Sequence, residues 1–139
     1  MTIPSKKKVL FVCTNNSCRS QMAEGLLRAY GQDHFEAYSA GSVPTRVHPL
    51  AIKAMSEIGI DISGQRSKSI LELEDVDFDI VISLCDGAKG SCPVAQGKKI
   101  MHKAFPDPAP QEGEKENLQR FIEVRDMIKK WILMVLVDN

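Results

Sequence analysis

The chain has 139 residues, 43% hydrophobic and 26% charged, enough to bury one core without disulfides or a structural metal and too few for two ordinary domains. Lys and Arg number 18, as do Asp and Glu, so no net field marks a nucleic-acid or anionic-membrane binder. The first apolar run is short and runs into Asn, Ser and Arg, unlike a secretory signal, and Trp131 to Val137 is far too short to cross a bilayer. The expectation is one cytoplasmic domain over residues 1–139, in which four cysteines serve chemistry or metal binding rather than stapling.

Lys6-Lys7-Lys8 is a solvated approach to a first strand, Val9 to Val12, which stops at Cys13. Cys13-Thr14-Asn15-Asn16-Ser17-Cys18-Arg19-Ser20 follows, and an apolar-periodic helix then runs from about Ser20 to Ala29 or Tyr30. Strand, tight loop and helix start bring backbone N–H groups and the positive end of a helix dipole to one point, a site for an oxyanion. The same field favours a thiolate, so Cys13 reads as a nucleophile. Arg19, in the spacing C-x5-R, supplies a forked and permanent positive charge. Asn16 is a residue that tolerates the positive φ such a ring-shaped loop needs.

Phe35 to Ala40 reads as a second strand ended by Gly41, and Pro49 to Ile58 as a helix stopped by Gly59. Ser69 to Val76 reads as a short helix. Phe78 to Leu84 is a strand apolar on both faces, as a central parallel strand is. A weaker fourth strand spans Lys99 to Ala104. Phe105 to Pro110 holds three prolines and is irregular. A last helix runs from near Glu114 to about Val137. Alternating strands and helices imply a parallel sheet wrapped by helices, with ligands at the carboxyl ends of the strands. Cys13 and Cys85 each follow a strand and so share that edge.

Cys85 and Cys92 enclose six small or flexible residues, Asp86 to Ser91. One reading is a thiol relay: Cys85 attacks what Cys13 has bound, and Cys92 then attacks Cys85. The other makes Cys85 a strand-end core residue and Cys92 a turn residue before Pro93. The residues alone leave both open. Neither C-x4-C nor C-x6-C suits a zinc knuckle, and Cys18 reads as loop packing. Asp107, in the proline-flanked loop after the last strand, is either a general acid for a departing oxygen or a turn residue. His34, His48 and His102 read as surface or loop histidines with no shared metal. Glu24 and Ser39 either form a polar network beneath the loop or face water.

The loop, followed by Gln21-Met22-Ala23-Glu24-Gly25, resembles that of arsenate reductases built on the low-molecular-weight tyrosine phosphatase fold. Tyr38-Ser39-Ala40-Gly41, Cys85, Cys92-Pro93 and Asp107-Pro108 continue the match. The resemblance implies an α/β fold with a four-stranded parallel sheet in the order 2-1-3-4. It implies reduction of arsenate to arsenite, in arsenic detoxification, by the thioredoxin-coupled route. Thr14, Asn15, Asn16, Ser17, Cys18 and Arg19 would bind the oxyanion, with phosphate or sulfate as mimics. Cys13, supported by Ser20, would attack arsenic while Asp107 protonates the departing oxygen. A Cys13–Cys85 disulfide would form as arsenite leaves, and a Cys85–Cys92 disulfide would then await thioredoxin. No bound cofactor is implied, and a monomer is expected.

Two positions depart from the family pattern. Asn15 stands where glycine is usual. Some members bind potassium through Asn, Glu, Ser and Asp; Asn16, Glu24 and Ser39 match three of these, but Lys68 takes the fourth place, where its ammonium would substitute for the ion. Rival readings are a tyrosine phosphatase and a thiol redox or metalloid sensor without turnover. Against the phosphatase, Ala109 replaces the aromatic residue expected after Asp-Pro, and Gln21 the proline expected after the loop serine. No basic patch or reading helix supports a regulator.

Overall fold

The computed structural model describes residues 5–85, 95–110 and 113–138. Four strands, β1 (Lys7–Val12), β2 (Phe35–Ala40), β3 (Phe78–Ser83) and β4 (Gly97–His102), form one sheet in the order β2-β1-β3-β4, every pair parallel. Its helices are α1 (Arg19–Tyr30), α2 (Pro49–Glu57) and α3 (Leu118–Ile132), with a 3-10 turn at Ile70–Leu73 and a π turn at Leu133–Val137. The expected topology is the observed one.

Strand alternation sorts the core into two faces. Val9, Phe11 and Ile82 point to the side where α1, α2 and α3 deliver Met22, Leu26, Met55, Phe121 and Ile128. Leu10, Val12 and Val81 point to the other, where Ile70, Leu73 and Val76 pack against them. β1 and β3 therefore need apolar residues at successive positions, which is why both read as continuous runs. β4 is an edge strand, with Ile100 at its centre largely exposed.

Several boundaries move, β1 beginning at Lys7 rather than Val9 among them. β4 begins and ends two residues earlier than the Lys99–Ala104 expectation, because it pairs with β3 from Phe78 opposite Gly97. The Ser69–Val76 helix shrinks to its 3-10 turn, started by a capping box between Ser69 and Glu72. The last helix starts at Leu118, not near Glu114, because the Asn117 side chain accepts from Gln119 N at 3.0 Å and caps it there. Glu114 instead pairs with Arg120. Gly59, at φ 80°, ends α2 as its position suggested.

The apolar stretch Trp131 to Val137 mostly closes the helical face: Ile132 and Leu136 are buried and Met134 is exposed. Among the described residues no helix is long and apolar enough to cross a membrane.

Candidate functional site

Residues 13–18 form a loop between β1 and α1, and the carbonyls of Thr14 to Ser17 along its back are engaged. Thr14 O accepts from Val43 N at 2.9 Å, Asn15 O from Thr45 N at 3.2 Å and Ser17 O from His48 N at 3.0 Å. Asn16 O accepts from Gln21 Nε2 at 3.0 Å. In a trans peptide the N–H opposes the preceding carbonyl, so carbonyls drawn outward turn the intervening N–H groups toward the mouth of the loop. Asn16 makes the turn at φ 49°, the left-handed conformation expected of it. Asn15, the departure from glycine, is exposed and donates its side-chain amide to Val43 O at 2.9 Å. Helix α1 begins directly behind with no side-chain cap on its first turn, an arrangement suited to an anion.

Gly41 backs this loop. A Cβ on it would sit 2.5 Å from Thr14 O and 2.7 Å from Cys13 O, so only glycine lets β2 end this close to the cradle.

Cys13 is buried at the base of the loop, with its Sγ 2.9 Å from Ser20 Oγ. Ser20 Oγ also accepts from Asn16 Nδ2 at 2.8 Å. Arg19 is buried along its length; its Nη1 donates to Phe105 O at 3.1 Å and its Nη2 lies 3.7 Å from Asp107 Oδ2. Asp107 is held by its own turn, Oδ1 accepting from Ala109 N at 3.0 Å. Cys13, Arg19, Ser20 and Asp107 thus meet at the carboxyl edge of the sheet, as the sequence indicated.

Cys85 reaches the same edge. Val12 stands opposite Ser83 in the β1–β3 register, and Leu84 N donates to Val12 O at 3.0 Å. Cys85 is therefore one residue beyond the position level with Cys13, and it is buried. It is disulfide-bonded, whereas Cys13 and Cys18 are free thiols. Cys92 lies outside the described residues, and with it the expected Cys85–Cys92 pair. Burial pushes the Cys18 thiol up to about 12, which suits its reading as packing.

Glu24 and Ser39 do form a polar network: Ser39 Oγ donates to Glu24 Oε1 at 2.6 Å, and Arg28 pairs with Glu24 Oε2. Lys68 Nζ lies 3.9 Å from Glu24 Oε1 and donates to Arg66 O at 2.9 Å. Burial lowers the Lys68 pKa, with Glu24 opposing. A potassium ion here would face the Lys68 ammonium and find the Glu24 carboxylate already engaged at both oxygens, so these residues do not fit one. Among the described residues no cluster of three or more His, Cys, Asp and Glu could hold a metal.

His48 corrects the expectation of a surface or loop histidine. It is buried, its Nδ1 accepts from Leu50 N at 3.1 Å as the α2 cap, and its ring tilts against Phe121 at 4.8 Å. Its backbone holds Ser17, so one residue ties α2 and α3 to the cradle. The available signal was its place before Pro49, since proline favours the first helical position and leaves the preceding residue as cap.

The cap works only with Nδ1 unprotonated. Burial keeps the His48 pKa below its ordinary 6.5; Glu116, 3.6 Å away, and Asp107 oppose this, while Arg46 adds to it. The unfolded chain therefore protonates here before the native protein does, and this contribution to stability is lost as pH falls from above about 6.5 through the lower native value. His48→Asn, a cap that does not titrate, is expected to narrow its Tm deficit against the wild type between about pH 7.5 and about pH 5.5. A deficit constant across that range would contradict this.

The site has clear relatives. Residues 8–136 match the family model of low molecular weight phosphotyrosine protein phosphatase. The chain is 46% identical over 130 residues to an arsenate reductase of Halalkalibacterium halodurans, covering 92% of this chain and 94% of that one. A solved arsenate reductase in the phosphate binding state superposes with a TM-score of 0.79 at 38% identity, over 95% of this chain and 98% of that one. The thioredoxin-dependent arsenate reductase of Corynebacterium glutamicum gives a TM-score of 0.67 at 29% identity, over 99% of this chain and 66% of that one. The chain belongs to the low molecular weight phosphotyrosine protein phosphatase family, and within it to the branch of the arsenate reductases.

Proposed function

We propose that this protein reduces arsenate to arsenite by a three-cysteine relay, acting in the cytoplasm as a single-domain monomer recharged by thioredoxin. The observation that carries the reading is the placement of Cys85 just past the end of β3, the strand beside the one that leads into Cys13, at one sheet edge with Arg19 and Asp107. A phosphatase needs the first cysteine alone; a second one at the same sheet edge is what reduction adds.

Arsenate enters the ring of N–H groups from Thr14 to Arg19, and the Arg19 fork takes two of its oxygens. The Cys13 thiolate, receiving the Ser20 hydroxyl, attacks arsenic, and one oxygen leaves as water after Asp107 gives it a proton. Cys85 thiolate then attacks Cys13 sulfur. The new S–S bond forms as the S–As bond breaks, its electron pair stays on arsenic, and arsenic(V) becomes arsenic(III). Cys92 attacks Cys85, freeing Cys13 as a thiolate, and thioredoxin reduces the Cys85–Cys92 disulfide. No bound cofactor takes part, and Lys68 stands in for potassium. Ala109 after Asp107–Pro108 offers no ring on which a phosphotyrosine would stack.

Steady-state assay with thioredoxin, thioredoxin reductase and NADPH tests the reading. Arsenate-dependent NADPH consumption is expected, at equal rates in sodium and potassium buffers. A sensor would bind arsenate and consume none.

A further inference from the structure

We propose that Gln65, Gln21, Asn16 and Ser20 form a one-way hydrogen-bond chain that supports donation from Ser20 to the Cys13 thiolate, which makes Gln65 and Gln21 positioning residues for the nucleophile. It rests on Cys13 being that nucleophile and adds what sets its state.

The contact between Cys13 Sγ and Ser20 Oγ, 2.9 Å, has no direction of its own, since either atom can donate. Direction comes from partners along the chain that can only donate or only accept. Arg28 Nη1 donates to Gln65 Oε1 at 3.1 Å; a guanidinium has no acceptor, so the Gln65 amide must show it oxygen. Gln65 Nε2 is thereby aimed at α1, where it donates to Gln21 Oε1 at 2.8 Å and Gln21 O at 3.0 Å. With its oxygen engaged, Gln21 turns Nε2 to three acceptors: Asn16 Oδ1 and Asn16 O, both at 3.0 Å, and Arg66 O at 3.1 Å. Asn16 Oδ1 also accepts from Lys68 N at 3.0 Å. Only Asn16 Nδ2 remains to face Ser20 Oγ, at 2.8 Å. A thiolate can only accept, so with Asn16 donating to the Ser20 oxygen the single hydroxyl hydrogen is left to point at the Cys13 thiolate.

Gln21, Asn16 and Ser20 are fully buried, so a reversed amide would set donor against donor or acceptor against acceptor without water to relieve it. Bonds aligned in one sense also polarise one another. Lys68 N and the carbonyls of Asn16 and Arg66, which cannot reverse their roles, hold Asn16 and Gln21 in this sense, and Gln65 extends the chain to the permanent charge of Arg28 and strengthens it from that end.

Gln65 is half-buried and can be changed without opening the core. Gln65→Glu keeps its shape and the bond from Arg28 but ends donation to Gln21; Gln65→Met ends it without adding charge. Iodoacetamide alkylation of Cys13, followed by mass spectrometry across pH, reads the effect. Cys85 stays in its disulfide, and Cys18, pushed up to about 12, stays silent near neutral pH. Both variants are expected to alkylate about threefold more slowly near pH 7, with the profile displaced upward by about half a pH unit. Gln21→Met should slow it about tenfold. Profiles that superimpose on the wild type in folded variants would overturn the proposal, as would a shift in Gln65→Glu alone, which is a charge effect. The assay uses neither arsenate nor thioredoxin. An unreactive wild-type Cys13 sinks the nucleophile reading and this proposal together; a reactive one with unmoved variants sinks only this proposal.

Discussion

Cys92→Ser is expected to complete one turnover, release one equivalent of arsenite and stop as a Cys13–Cys85 disulfide. Cys85 is expected still to attack Cys13 in this variant, because β1 and β3 are adjacent and both cysteines follow them at the carboxyl edge. What is lost is the thiolate that would attack Cys85 and return Cys13 to the reduced state. The trapped bond is identified by mass spectrometry of the non-reduced digest, as a Cys13 peptide linked to a Cys85 peptide. Steady-state turnover with thioredoxin should fall to background while the first turnover survives. A variant that cycled at the wild-type rate would remove Cys92 from the mechanism. Cys85→Ser, in contrast, should release no arsenite at all, and that difference sets the order of the two thiols.

Arg19→Lys carries the next largest effect. The guanidinium is held by Phe105 O at one nitrogen and lies 3.7 Å from Asp107 at another, so its plane is set before the anion arrives. Lysine keeps the charge but presents a single compact ammonium that cannot span two oxygens. Loss of one preorganised oxyanion donor costs about a hundred- to a thousandfold, and kcat/KM for arsenate is expected to fall by about that factor. Inhibition by phosphate should weaken in parallel. The lost bond to Phe105 O removes about 1 kcal/mol of stability, so a thermal melt should show a folded protein. A fall in kcat/KM of less than about tenfold would mean that the backbone ring holds the anion largely unaided.

The rival phosphatase reading and the reductase reading share the loop, and that is why the loop alone does not decide between them. An anion cradle needs N–H groups, a fixed positive charge and a nucleophile, and phosphate and arsenate ask the same of all three. On the proposed mechanism the choice rests on what stands at the end of β3, where Cys85 is buried beside Leu84, and on Ala109 in the loop after Asp107. Ala109 is committed to that loop through its N–H, which holds the Asp107 carboxylate.

By itself the sequence determined the features whose spacing and period are strongest. The apolar runs of β1 and β3, the helical stripe of α1 and the C-x5-R interval are local, and local sterics act on them in any surroundings. Asn16 belongs here too: few residues other than glycine accept φ 49°, so the loop's turning point was written in its composition. Tertiary structure alone decided what spans distant segments. The bond from Arg19 to Phe105 O, the Gln65–Gln21 contact and the seating of Lys68 against Glu24 join residues more than forty positions apart. The cap that His48 makes on α2 is local, but its burial against Phe121 was decided by tertiary packing. No periodicity encodes such pairs, because each exists only after burial removes water and leaves the polar atoms with each other as partners.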